Sequence, residues 1–222
     1  MWLRRYTKIR KEKSDTMGSC TAKDTLKIAN DWLGYREDGD NWTIFSKVLD
    51  ECNYYPESKQ NISWCASFCN FCVLQACTPE DRSNEEKKWD AYYFLYQSSP
   101  NWSCGAREFA DYFKNADAWY SEPKVGDMCF FNVNGKIGHV GIVEDIDSYI
   151  TVIEGNAGDM VQRKWYSYSD IGGRIAGFGR PRYDEPDESE PTNNTVTITI
   201  EIESQNADIV MEALKGATIT VK

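Results

Sequence analysis

The sequence predicts an α+β fold in which N-terminal helices pack on an antiparallel sheet. Two patterns carry that reading. Up to Phe113 the apolar residues recur at helical spacing, and from Pro123 onward they alternate with period two. Helices first and strands afterwards is the order of an α+β domain. At 222 residues, with 41% hydrophobic and 14% aromatic side chains, the chain has material for one sizeable core and a small appendage.

The elements follow in order. Thr21 to Tyr35 reads as a helix, capped by Thr21 or Asp24, with Leu26, Ala29, Trp32 and Leu33 on one face and Gly34 ending it. Glu37 to Asn41 is a polar loop. Trp42 to Cys52 is a second helix, buried through Ile44, Phe45, Val48 and Leu49. A third starts near Trp64, with Ser63 as N-cap and Cys65, Cys69, Cys72 and Ala76 along one stripe. Pro79-Glu80-Asp81 opens a polar stretch, and a fourth helix, holding Phe109, Tyr112 and Phe113, follows Ser103. Strands are expected at Met128–Val133, Ile137–Ile146, Tyr149–Glu154, Val161–Tyr166 and Ile175–Tyr183. Asp147-Ser148 is read as a tight turn between the second and third of these.

The charge of −10 divides unevenly: +4 over residues 1–19, −7 over 20–182 and −7 over 183–222. An acidic body argues against nucleic acid as a partner, because neutralising phosphates takes clustered Lys and Arg. No apolar run is long enough to span a membrane. The basic start, 1–19, lacks the apolar stretch of a signal peptide and reads as a charged tail, with Met17 as a second possible start. The body runs 20–183. The acidic, proline-containing stretch 184–194 reads as a linker. Residues 195–222 read as a small strand–helix–strand segment, too short to bury a core alone. Its aliphatic face (Val196, Ile198, Ile200, Ile202) suits self-association into a homo-oligomer or wall targeting.

Eight cysteines invite a disulfide reading, but four of them (Cys65, Cys69, Cys72, Cys77) share one apolar stretch. Without an export signal most are expected to be reduced core thiols. Cys69-x-x-Cys72 has no second CxxC to complete a metal site, and neither a metal nor a cofactor is expected.

The chemistry centres on the only histidine in the chain, His139, in Gly138-His139-Val140-Gly141-Ile142-Val143. An imidazole is the one side chain whose ordinary pKa lets it trade a proton near neutrality. Cys65 precedes it by seventy-four residues and sits at a helix start, where unpaired N–H groups and the helix dipole favour a thiolate. The turn at Asp147-Ser148 pairs Ile146 with Tyr149. Continued along the hairpin, that register sets His139 opposite Asn156, with Glu154 on the same face at the diagonal. Either Glu154 or Asn156 can hold the imidazole tautomer. Trp64, Trp102, Trp119, Tyr166 and Tyr168 are candidates to line a substrate groove.

Four ordered blocks carry a resemblance: Trp64-Cys65-Ala66-Ser67-Phe68, Gly126-Asp127-Met128-Cys129-Phe130-Phe131, Gly138-His139-Val140-Gly141-Ile142-Val143 and Ile153-Glu154-Gly155-Asn156. Together they resemble the CHAP family, cysteine, histidine-dependent amidohydrolases/peptidases of the NlpC/P60-like branch of the papain-type fold. The similarity extends from Thr21 to Tyr183 and is greatest to the CHAP domains of phage and prophage endolysins. It implies Cys65 as nucleophile, His139 as base, Glu154 as orienting residue and Asn156 as a fourth polar member. The implied partner is bacterial peptidoglycan, reached by a protein made without a signal peptide and released to the wall. The alternatives are a related amidase on a non-wall substrate and a non-catalytic wall-binding protein. Some family members bind calcium just before the nucleophile, but Gln60-Asn61-Ile62-Ser63 offers no carboxylate for it.

Overall fold

A computed structural model describes residues 19–77, 82–101 and 103–184. The basic tail, the linker beyond Asp184 and the 195–222 segment expected from the sequence lie outside the described residues. Five helices come first: α1 (Ala22–Asp31), α2 (Ile44–Glu51), α3 (Cys65–Ala76), α4 (Asn84–Phe94) and α5 (Ala106–Asn115). Six strands follow: β1 (Trp119–Tyr120), β2 (Met128–Val133), β3 (Lys136–Asp145), β4 (Ile150–Glu154), β5 (Gln162–Tyr166) and β6 (Ile175–Gly179). They form one antiparallel sheet in the order β1-β6-β2-β3-β4-β5, so the expected α+β architecture is the observed one.

Local chemistry sets most of the boundaries. Thr21 caps α1 by accepting from the Asp24 backbone N–H while Asp24 reaches back to Thr21, a reciprocal capping box. Thr43 does half of this for α2 through Ser46. α1 stops at Asp31, short of Tyr35, because the chain turns through Gly34 at φ 86°. α4 lies outside the helices expected from the sequence, although its signal is there. Ser83 and Glu86 form a second capping box ahead of a helix that buries Ala91, Tyr92 and Phe94.

α3 is the spine. Every residue from Cys65 to Leu74 is buried, so its cysteine stripe is one side of a helix with no solvent face. α1, α2, α4 and α5 surround it, and Met128, Phe130, Val140, Ile142 and Ile153 cover it from the sheet. The alternate residues Cys129, Phe131, Val143, Val152, Tyr166 and Phe178 form a second apolar cluster.

Three expectations need correction. Trp64, not Ser63, holds the N-cap position of α3, and its side chain makes no cap hydrogen bond. Asp147-Ser148 is not a two-residue hairpin turn: β3 ends at Asp145, β4 begins at Ile150, and the register shifts between Val143 and Asp145. The extra residue, Glu144, bulges out of the ladder. It forms a two-pronged ion pair with Arg163 of β5, at 2.5 and 2.7 Å. Finally, Cys20 and Cys77 form a disulfide, while the other six cysteines are free as expected. Their separation of 57 residues hid the pairing; the packing of α1 on α3 brings the start of one and the end of the other together.

Candidate active site

Cys65 is the first residue of α3 and is 4% exposed. With no side chain capping it, the helix presents its first backbone N–H groups and the positive end of its dipole around the thiol. The position is fixed from behind. Gly155, just past β4, has no room for a side chain: a Cβ there would lie 2.5 Å from the Phe68 Cβ and 2.9 Å from the Trp64 ring. That close approach brings the start of α3 onto the end of the strand that carries Glu154.

His139 projects from β3 into the same place. Its Nε2 lies 2.8 Å from Glu154 Oε2, which leaves Nδ1 for the hydrogen bond with the Cys65 thiol. Burial pulls the imidazole towards neutrality, but the hydrogen bonds and charges of Cys65 and Glu154 outweigh it and push the pKa from 6.5 up to about 9. Glu154 is 1% exposed. Burial favours its neutral form, yet hydrogen bonds from His139 and Tyr166 and the charge of Lys164 hold the carboxyl below its usual range. The Tyr166 hydroxyl donates to Oε1, and Lys164 Nζ lies 3.4 Å from Oε2. The result is a continuous chain from thiol to imidazole to an anchored carboxylate.

The remaining free cysteines have none of this. Burial pushes up the thiols of Cys52, Cys69, Cys72, Cys104 and Cys129, and none of the five has an imidazole beside it. A thiol held protonated in an apolar site is a poor nucleophile.

The other residues singled out from the sequence separate into two groups. Asn156 does not stand across from His139. The strand stops at Glu154, Asn156 turns left-handed (φ 56°), and its amide donates to Asn41 Oδ1 at 3.3 Å. Trp64 is fully buried, its indole N–H donating to Glu37 Oε2 at 2.7 Å, so it backs the site rather than lining a groove. Tyr166 is likewise buried and holds Glu154. Trp119 packs on Phe130 and over Gly177, at the opposite edge of the sheet from β4. Tyr168 donates to the Ile146 carbonyl, seven residues or about 23 Å along the strand from His139. Trp102 lies outside the described residues.

An open cleft of about 590 Å³ runs over Cys65, within the range of small-ligand sites. Its walls are Ile62 and Ser63 ahead of α3, the first turn of α5 from Gly105 to Glu108, and the start of β3 from Lys136 to Gly138; Cys104 lies beside Cys65 in the lining. Among the described residues no group of three or more His, Cys, Asp or Glu is arranged to hold a metal ion.

The family model described as the CHAP domain matches residues 57–156. This segment of 100 residues among 222 is similar to the CHAP domain. This is a family of amidohydrolases and peptidases, and the α3-on-sheet arrangement is its papain-like fold. Cys65, His139, Glu154 and Asn156 all fall inside the matched CHAP segment, whereas Lys164 and Tyr166, which hold Glu154, lie beyond it. No curated protein matches the chain. Among solved structures, two crystal structures of Ly7917 are similar, one of them described as containing the hydrolyzing product of MDP. They are 14% and 16% identical, with TM-scores of 0.41 and 0.44, and cover 72% of this chain in each case. The matched part spans 63% and 62% of the Ly7917 chains, less than two thirds of their length.

Proposed function

We propose that this protein is an endolysin-type peptidoglycan hydrolase, using Cys65 to cleave an amide bond of the bacterial cell wall. The observation that carries the reading is the hydrogen-bonded series Cys65, His139, Glu154, whose first member lines an open cleft. The CHAP family supplies the reaction class, and the resemblance of its four blocks to endolysins supplies the substrate.

In the proposed reaction the Cys65 thiolate attacks the carbonyl carbon of a wall peptide or of the N-acetylmuramoyl-L-alanine linkage. The developing oxyanion is met by the Cys65 backbone N–H at the open helix start. His139, protonated, gives its proton to the leaving amine as the C–N bond breaks. The neutral imidazole then takes a proton from water, whose hydroxide attacks the thioester and frees the acid and the thiol. Glu154 keeps Nε2 engaged, so the proton in play is the one facing the sulfur.

Purified peptidoglycan digested with the full chain and with the Cys65→Ala variant tests the proposal. Mass spectrometry of the soluble products is expected to show paired new amine and carboxylate ends with the wild type alone. Absence of new ends with the wild type, or their equal appearance with the variant, overturns it.

A further inference from the structure

The body between residues 20 and 182 carries a net charge of −7, yet the cleft over Cys65 has a cationic wall. Its lining contains two cations, Arg107 and Lys136, and one anion, Glu108. These charges are not equivalent. Glu108 stands 3.3 Å from Arg107, and its Oε2 lies 2.4 Å from where a Cβ on Gly105 would be. The carboxylate is therefore folded over the N-cap of α5, offsetting both its neighbouring guanidinium and the positive end of the helix. Lys136 has no ion-pair partner among the described residues. It is exposed and opens β3 directly after the turn Asn134-Gly135. Both turn residues are left-handed, at φ 52° and 76°, the conformation of a tight two-residue hairpin. A flexible side chain thus stands on a fixed backbone position, facing the cleft. Lys59 adds a further positive charge near the floor, where it opposes the burial-driven rise of the Cys104 thiol.

We infer that Lys136 selects substrates bearing a free carboxylate close to the scissile amide. The inference rests on the proposed hydrolase reading of Cys65 and names the class of peptide that this site prefers. An ammonium without an ion-pair partner at the wall of the cleft attracts an anion with the strength of an exposed ion pair. A neutral peptide gains nothing from it. Lys136 acts on substrate choice and takes no part in bond making.

The test uses two synthetic wall peptides that differ at one group, a side carboxyl left free in one and carboxamidated in the other. The readout is the ratio of kcat/KM for the acid over the amide, measured with the full chain. The wild type is expected to prefer the acid by about 5-fold, the upper range of a single solvent-accessible ion pair. Lys136→Met is expected to bring the ratio towards one, Lys136→Arg to retain it, and Lys136→Glu to invert it. The wild-type preference is also expected to shrink as salt is raised from 50 to 500 mM, as a charge contact does. A ratio near one in the wild type, or a ratio untouched in Lys136→Met, overturns the inference while leaving the hydrolase reading in place. Hydrolysis of neither peptide by the wild type counts against the hydrolase reading. In that case binding of both peptides to the Cys65→Ala chain decides the question of Lys136 by itself, and equal affinities would overturn the selection.

Discussion

Gly141 makes room for Glu154. A Cβ at Gly141 would fall 2.8 Å from the Glu154 Cγ and 2.6 Å from the Val152 Cγ1, so the carboxylate reaches His139 through space that a missing side chain leaves open. Gly141→Ala is expected to push Glu154 off Nε2. Overpacking of this kind costs about 1–3 kcal/mol of stability. Amidase activity is expected to fall about 10-fold or more, because the imidazole loses its orienting partner. Thermal unfolding and kcat on the same preparation check the two effects. Full activity in a folded Gly141→Ala protein would show that the acid has another route to the imidazole.

Cys65 is expected to be the sole nucleophile. Cys65→Ala should lose at least about 1000-fold in kcat, as triad members do. Cys72→Ala and Cys69→Ser, each one or two turns deeper and fully buried, should keep activity wherever they fold. Cys69→Ser also buries a hydroxyl and is expected to lose about 1–3 kcal/mol of stability. Labelling with iodoacetamide followed by peptide mapping gives an independent reading, with modification concentrated on Cys65.

The pH dependence follows from the single imidazole. Its folded pKa is raised from 6.5 to about 9. Its contribution to stability is therefore full below 6.5 and lost as pH climbs through 9. The alkaline limb of kcat/KM is expected near pH 9, where His139 loses its proton. With one histidine in the chain, a tag-free sample gives one unambiguous imidazole resonance. Its midpoint is expected to drop towards 6.5 in Cys65→Ala and in Glu154→Gln. An unmoved midpoint in both variants would contradict the described contacts.

Tyr166→Phe removes the donor to Glu154 Oε1 and leaves the packing on Phe131 intact. The buried carboxylate then loses one of its stabilising hydrogen bonds, and its pKa is expected to rise. Activity is expected to fall about 10- to 100-fold, in keeping with a single hydrogen bond to a charged group. The His139 midpoint should move down in the same variant. A loss of activity with no shift of that midpoint would assign Tyr166 a role away from Glu154.

Much of this arrangement was legible in the sequence, and the failures are physical ones. Helix and strand order showed in the switch of period at Pro123. The Cys65 position showed as a helix start. The hairpin register near the site matches the one the sequence predicts although the turn does not: Ile142 pairs with Ile153 as expected, and the Glu144 bulge absorbs the discrepancy before the loop. Asn156 does not stand opposite His139 as the continued register sets it, because strand alternation says nothing about where a residue turns left-handed. Trp64 and Tyr166 look like groove aromatics in the sequence because composition reveals polar tips without revealing burial. α4 went unseen although Ser83 and Glu86 spell a capping box. The Cys20–Cys77 bridge depends on tertiary packing that no local pattern encodes.

The loop from Glu37 to Asn41 supplies a fastening. Glu37 takes the Trp64 indole on one carboxylate oxygen and the Asn41 backbone N–H on the other, while Asn41 receives the Asn156 amide. The residue before Cys65 and the residue two past Glu154 are thus buckled to the same five-residue strap, 27 and 115 positions from their partners. None of the strap's residues lies in the matched family segment. Exchanging this loop between relatives would therefore transplant the clasp between the two halves of the site, and a chimera assembled at the family boundary would arrive with it undone.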